Sequence, residues 1–322
     1  MRIVFALLLL GAAPFVSAAE DLSRRIVANE GWVSWQVPRV ADAGDSCCHT
    51  IHGDVVSRRG CDLDGRQWNI NSSTGGDAGH LVVYAHVRGG VVDKIRAFSA
   101  TCPVRTAEPL RAIDGVDPAA SVNWLAEHAR RERGKKDDDE AIAALASHAT
   151  PVAMTALRDL AAPERPEKQR QAALFWMGQA RGAEGVNAVE RYARDDADAD
   201  IREHAVFVLS QAAEHGTYPR ILAIAGSDRS AEVRGQALFW LAQMEDPRAG
   251  ADIIAAIRRE TDPEAREQAV FALSQLDDDE GDKALIAVIR GDFPREVKQK
   301  AVFWLGQSGS DTAIAFLDDV LK

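Results

Sequence analysis

The stretch AVFWLGQ, Ala301–Gln307, reads as two turns of a buried helix that stop on an amide. Four relatives precede it: ALFWMGQ (Ala173–Gln179), AVFVLSQ (Ala205–Gln211), ALFWLAQ (Ala237–Gln243) and AVFALSQ (Ala269–Gln275). Their helices open on Arg170, Arg202, Arg234, Arg266 and Lys298, a constant 32-residue step without insertion. One step further back lies DDEAIAALASH, where Ala141 and Leu145 keep the register but Ala143 and Ser147 replace the Phe and the Gln. A degenerate first copy is what a capping repeat looks like. Each unit holds a second apolar helix, marked by the columns Leu157, Val189, Ile221, Ile253, Leu285, Leu317 and Leu160, Tyr192, Ile224, Ala256, Val288, Val320. Spacings of three and four residues identify helix. No unit can bury both apolar faces alone, so neighbours must stack, and the fold is an α-solenoid of about six two-helix units over residues 138–322.

Two further columns are charged. Glu164, Asp196, Asp228, Glu260 and Asp292 each stand six positions before the basic residue that opens a helix. With these the chain resembles the HEAT-repeat family, in a short bacterial form similar to phycobilin-lyase repeats. The resemblance implies that the acidic and basic residues form a ladder linking successive units. The period is shorter than the ~40–47 residues of longer HEAT units.

Helical geometry places the Phe and Gln columns. With the repeated Ala at zero and ~100° per residue, the following aliphatic residue lies at ~100° and the Met or Leu at ~40°. These define the core face. Phe175, Phe207, Phe239, Phe271 and Phe303 fall at ~200°, and Gln179, Gln211, Gln243, Gln275 and Gln307 at ~240°. The Phe therefore points away from the core, where HEAT repeats of this type ordinarily carry polar residues. An uncovered Phe forgoes roughly 1.5–3 kcal/mol, and a domain's whole stability is only about 5–15 kcal/mol, so something must cover five of them. Either each ring packs on the next unit, with the Gln amides hydrogen-bonded along the stack, or the stripe grips an extended partner. Trp176, Trp240 and Trp304 occupy alternate copies, with Val208 and Ala272 between them, a large-against-small pattern that reads as packing.

Composition narrows the function. The 322 residues are 46% hydrophobic with a net charge of −11, at a pI near 5.3. Nucleic acid and anionic membrane are poor partners for such a chain. MRIVFALLLLGAAPFVSAAED opens on one Arg, then an apolar run, then small residues, and reads as a secretory leader over residues 1–19. No Cys follows it to take a lipid, and no later segment is apolar enough to span a bilayer, so the expected location is periplasmic or secreted. All four cysteines, Cys47, Cys48, Cys61 and Cys102, lie in the first third of the chain. In an exported protein they predict two disulfides. A vicinal Cys47–Cys48 bridge fits disulfide geometry poorly, so Cys61 and Cys102 are each expected to pair with one of the neighbours.

Residues 20–134 read as a small, disulfide-braced, β-rich α+β module. GWVSWQVP alternates Val33, Trp35 and Val37 on one face; HLVVYAHVRGGVVDKIRAFSATC is a hairpin around Gly89–Gly90; a helix follows Asp117–Pro118. The charged run RERGKKDDDE marks the boundary with the solenoid. CCHTIH, Cys47–His52, brings two thiols and two imidazoles close enough to suggest zinc, a reading that competes with disulfides for the same sulfurs. CDLDG suggests a calcium loop only superficially, because Gly60 and Asn71 stand where acidic ligands are needed.

Some HEAT-like enzymes hold iron through His-Glu pairs, but here the order is Glu127-His128, Glu203-His204 and Glu214-His215, reversed and out of register. Neither a P-loop, a Gly-x-Ser-x-Gly elbow nor a His-Glu-x-x-His pattern occurs. A bilin-attaching activity, implied by the lyase resemblance alone, has no identifiable residues. The expectation is an exported, non-catalytic scaffold without cofactor or metal that presents an elongated surface to a protein partner through the Phe–Gln stripe. The alternative is an enzyme or metal-binding protein acting through His49, His52 and a free Cys.

Overall fold

The regular step becomes six helix pairs. They are α3 (Lys136–Ala146) with α4 (Pro151–Leu160), α5 (Glu167–Ala180) with α6 (Gly182–Asp195), α7 (Ala199–Ser210) with α8 (Tyr218–Ser227), α9 (Ala231–Ala242) with α10 (Ala249–Arg259), α11 (Pro263–Leu273) with α12 (Asp278–Arg290), and α13 (Arg295–Ser308) with α14 (Asp311–Val320), counting the earlier α1 and α2 given below. The computed structural model describes residues 18–52, 55–58, 60–65, 70–72, 79–131 and 136–320. The expected leader therefore lies outside the described residues, except Ala18 and Ala19, which open α1. Asp198, Ser230 and Asp262 cap the starts of α7, α9 and α11 by accepting backbone N–H bonds, which satisfies donors that a helix start leaves open.

The core face is the one the helical wheel defines. Ala173, Ala205, Ala237, Ala269 and Ala301 are fully buried, as are Met177, Leu209, Leu241, Leu273 and Leu305. The small Ala side chains let α5, α7, α9, α11 and α13 pack directly on one another, whereas α6, α8, α10, α12 and α14 meet more sparsely. The Phe-bearing helices therefore form the tighter, inner layer of the stack. Val302 shows the stacking requirement by exception: its counterparts Leu174, Val206, Leu238 and Val270 are at most 1% exposed, but Val302, on which no further helix pair packs among the described residues, is 42% exposed.

The charged columns form rungs, in a different pairing from the one the spacing suggests. Each carboxylate is held by the Arg of the preceding unit: Arg170–Asp196 at 2.6 Å, Arg202–Asp228 at 2.8 Å and Arg234–Glu260 at 2.7 Å. The Arg six positions after the acid instead takes backbone carbonyls, as Arg202 does at Asp196 and Ala197. The Asp228 side chain is buried, which alone would raise its carboxyl, but hydrogen bonds from Arg202 and the Ser230 N–H hold it below its ordinary range. Hydrogen bonds from Arg234 bring Glu260 to about 2. Three rungs form among the described residues. Within the same set Glu164 and Asp292 are exposed and make no ion pair, and Arg266 is left with the Glu260 carbonyl.

Ahead of the stack, α1 (Ala18–Val27) and α2 (Pro118–Arg131) flank a set of strands: β1 (Gly31–Pro38), β2 (Asp45–Cys47), β3 (His49–His52), β4 (Val55–Arg58), β5 (Cys61–Asp62), β6 (Ile70–Ser72), β7 (His80–Arg88), β8 (Val91–Ser99), β9 (Val104–Arg105) and β10 (Leu110–Ala112). The main sheet runs β10-β1-β7-β8, with β1, β7 and β8 antiparallel and β10 parallel to β1. Gly89 and Gly90 join β7 to β8, both with positive φ (58° and 76°), as a tight hairpin turn requires. Val33, Trp35 and Val37 share one face, as their alternation predicts, and meet α1, α2 and the first repeat. The other face is not open. Trp32, Tyr84 and Phe98 are buried there with Leu63 and all four cysteines. Cys47 pairs with Cys102 and Cys48 with Cys61. Of the charged run, residues 132–135 lie outside the described residues, and Lys136–Glu140 form the first turns of α3.

One apolar cluster continues from Leu22 in α1 to Phe316 in α14. At the joint a buried polar chain crosses it. The Trp35 indole donates to Ser121 Oγ at 2.8 Å, the Ser121 hydroxyl donates to His148 Nε2 at 2.8 Å, and His148 Nδ1 donates to the Ala144 carbonyl at 2.7 Å. Val40 N–H to the Ser147 carbonyl and Ala149 N–H to the Pro38 carbonyl tie the end of β1 to the first repeat. Among the described residues no helix is long and apolar enough to cross a membrane.

Removing a buried rung leaves its partner charge unpaired, which costs about 3–5 kcal/mol. Arg202→Met should lose that much in urea unfolding, and Arg266→Met, which holds no carboxylate, should lose far less. Burial pushes His148 down to about 4 from 6.5, so the folded state favours the neutral ring. Its stabilisation is complete above pH 6.5 and declines as pH falls toward about 4. A His148→Asn variant should lack that part of the pH slope in urea midpoints measured between those limits.

Candidate functional site

The five Phe residues lie on the inner layer, on α5, α7, α9, α11 and α13. The first four are half-buried and Phe303 is 54% exposed. They do not repeat one contact per unit. Phe175 stacks on Phe207 (6.4 Å, 10°), Phe207 meets Trp240 (4.9 Å, 47°), Phe239 stacks on Phe271 (6.0 Å, 7°), and Phe271 meets Trp304 (4.9 Å, 49°). Edge contacts Phe175–Trp176, Phe239–Trp240 and Phe303–Trp304, at 5.0–5.3 Å, close the gaps. The result is one unbroken ladder of eight rings, from Trp176 to Phe303, with a true period of two units. The rings cover one another, as the packing reading expects, and the rings stay partly exposed.

The Trp column, which the sequence suggests as core filling, is part of this surface. Trp176, Trp240 and Trp304 are each partly exposed. Among the described residues their indole N–H groups donate to no protein acceptor, unlike Trp32, bonded to Asp64, and Trp35, bonded to Ser121. An indole with one apolar side packed and its N–H in solvent is typical of recognition surfaces. The alternation of Trp with Val208 and Ala272 was the available signal. It also has a packing cause, since a Cβ on Gly178 would approach Val208 Cγ1 to 2.3 Å.

The Gln column does not form an amide ladder. Gln211 and Gln275 donate to Ser210 and Ser274, the residues just before them, at 3.3 and 3.1 Å. Gln243 reaches the Gln275 carbonyl at 3.4 Å. Gln179 and Gln307 make no side-chain hydrogen bond among the described residues. Beside the ladder, burial first, and then the charges of Glu232 and Asp200, push the Glu203 carboxyl up to about 7. Its Oε1 is buried without a hydrogen bond among the described residues.

The chemical alternatives fare differently. All four sulfurs are in disulfides, and Cys61 and Cys102 Sγ lie 3.7 Å apart between the two bridges. The zinc reading of CCHTIH drew on the Cys47 and Cys48 thiols, and both are taken by disulfides. His49 and His52 lie on β3, and their side chains are outside the described residues. In CDLDG, Asp64 accepts from the Trp32 indole, the Thr106 hydroxyl and the Ala107 N–H, so its oxygens brace the loop rather than face an ion. The Glu-His pairs are not brought together. His128 stacks on Trp124, and His204 Nε2 donates to the Gln171 carbonyl. His86, which the sequence did not single out, is 3% exposed between Asp93 at 2.5 Å and Glu108 at 2.7 Å. Burial opposes its charge, but the two carboxylates outweigh that and raise its pKa. With both nitrogens engaged it is a structural imidazolium, not a general base.

The charged rungs, the two-helix unit and the fixed step agree with the HEAT-repeat family model, which matches residues 218–302. Over those residues the chain matches HEAT repeats. Similar solved structures include human deoxyhypusine hydroxylase in complex with glycerol, at 16% identity and a TM-score of 0.33 over 62% of this chain and 77% of that one. Another is the complex of CpcE and CpcF of phycocyanin lyase from Nostoc, at 18% identity and a TM-score of 0.29 over 63% of this chain and 81% of that one. Likeness at this level carries nothing about activity. No curated protein matches the chain.

Truncating an interior ring removes a half-buried side chain and a stacking partner. Phe239→Ala should therefore cost about 1–3 kcal/mol in urea unfolding. Phe303→Ala, at the open end of the ladder, should cost less than about 1 kcal/mol.

Proposed function

We propose that the protein is an exported, non-catalytic scaffold that binds an extended protein partner along the inner face of its HEAT solenoid. The observation that carries this reading is the unbroken ladder of partly exposed Phe and Trp rings, whose indole N–H groups on Trp176, Trp240 and Trp304 meet no protein acceptor among the described residues. Aromatic residues with a polar handle are what protein interfaces concentrate, and a solenoid supplies length without needing a deep pocket. The contacts are Phe175, Phe207, Phe239, Phe271 and Phe303 with their Trp neighbours, and the amides Gln179, Gln211, Gln243, Gln275 and Gln307 at the edge of the stripe. Export rests on the leader-like residues 1–19 and on cysteine usage, since buried disulfides persist in oxidising compartments. The periplasm or the medium is the proposed location. The acidic net charge of −11 favours a partner that is neutral or basic along the contact.

Affinity capture from the exported fraction of the source cells, read by mass spectrometry, tests the proposal. The triple variant Phe207→Ala, Phe239→Ala, Phe271→Ala, shown to be folded by circular dichroism at the capture temperature, should lose the partner that the wild type retains. A folded triple variant that captures it equally well would make the ladder a packing device and remove the scaffold reading. Visible absorbance of the purified protein would point instead to a bound chromophore.

A further inference from the structure

The ladder stops one unit short. In the first repeat the Phe position is Ala143 and the Gln position is Ser147. The space beside them is a cavity of about 380 Å³, floored by Phe175, Trp176 and Gln179 and roofed by Leu81 of β7 and Ala97 of β8. It falls within the size range of ligand pockets, about 300–1,000 Å³. The small residues make room for the sheet, which packs against α3. A cap that only sealed the end of the stack would nonetheless fill the space, because protein interiors are close-packed.

The two-unit period shows what fits there. Phe207 rests on Trp240 at 4.9 Å, and two units later Phe271 rests on Trp304 at 4.9 Å, with nearly the same tilt (47° and 49°). Moving the Phe207–Trp240 pair back by two units gives Ala143 and Trp176. The indole is present and the ring that belongs on it is missing. Phe175 is already covered by Phe207 on the side away from the cavity. At the wall, Gln179 makes no side-chain hydrogen bond among the described residues. Glu140 at the rim is neutralised by Arg96, and Asp139 beside it is not paired among the described residues.

We propose that this cavity takes one aromatic side chain, Phe or Tyr, from the partner's polypeptide, seated on Trp176 as Phe207 is seated on Trp240. The Gln179 amide and the Asp139 carboxylate receive backbone N–H groups or a basic neighbour of that residue. The site thereby anchors one end of the extended segment and sets its register on the ladder. This inference rests on the protein-binding reading and specifies where that contact begins.

The mature full-length chain is titrated with N-acetyl-phenylalanine amide and N-acetyl-leucine amide, followed through the probes' own proton signals. The aromatic probe should bind saturably and the leucine probe about 2–10-fold more weakly, the range that one aromatic pair supplies. Ala143→Phe fills the cavity from within and should abolish binding without lowering the melting temperature. Equal binding of the two probes, no saturable binding, or full binding by Ala143→Phe overturns the site. If Ala143→Phe does not fold, Trp176→Ala replaces it: lost binding supports the seat and retained binding overturns it. Partner capture separates the two levels. Capture lost in the Phe207/Phe239/Phe271 triple but unchanged in Ala143→Phe removes the anchor and leaves the scaffold. Probe binding confined to the wild type, with no partner captured by it, keeps the aromatic site and removes the scaffold.

Discussion

A single pair of helices from this repeat has two apolar faces and no means of hiding both, so each unit is stable only between neighbours. The fully buried Ala column is what lets the Phe-bearing helices lie directly on one another, and the Arg–carboxylate rungs set the pairing of one unit with the next. Those rungs are buried charges, costly to desolvate and worth keeping only with complete hydrogen bonding. Arg202 meets that condition, with two bonds to Asp228 and two to backbone carbonyls of the preceding turn. The rung therefore locks the turn as well as the neighbour. The surface proposed to bind takes its spacing from this stacking.

On that frame the aromatic residues solve a conflict. A Phe column turned away from the core is expensive in water, yet complete burial would leave nothing for a partner to touch. Stacking the rings edge-out along the inner layer shields their faces and leaves their rims. Alternating Trp with Val or Ala gives each pair of units a wide step, so the ladder repeats at every second unit although the helices repeat at every one. A partner lying on it meets a pattern coarser than the helices beneath.

The N-terminal module is joined to this stack by more than a linker. The apolar cluster is continuous across the joint, and the Trp35–Ser121–His148–Ala144 chain of hydrogen bonds runs through it. The module's His86 and the first repeat's His148, both buried, have opposite electrostatics. His148, with a hydroxyl and a carbonyl for neighbours, is held neutral; His86, between two carboxylates, is held charged. The difference lies in the partners, since burial disfavours charge in both.

Read alone, the sequence determined the repeat, its helical period, the core columns, the hairpin at Gly89–Gly90 and the expectation of two disulfides among four cysteines, because periodicity, turn chemistry and counting are local properties. It also pointed to the Phe–Gln stripe, since a helical wheel shows which residues leave the core. What the wheel could not show was what lay opposite them. Which Arg holds which carboxylate, that Trp joins the Phe ladder, that the second face of the sheet is buried, and that the loss of one Phe leaves a cavity beneath β7 and β8 were decided by the way units stack. Those contacts run from one unit to the next or across the joint with the sheet, and a register between surfaces exists only once both surfaces are in place.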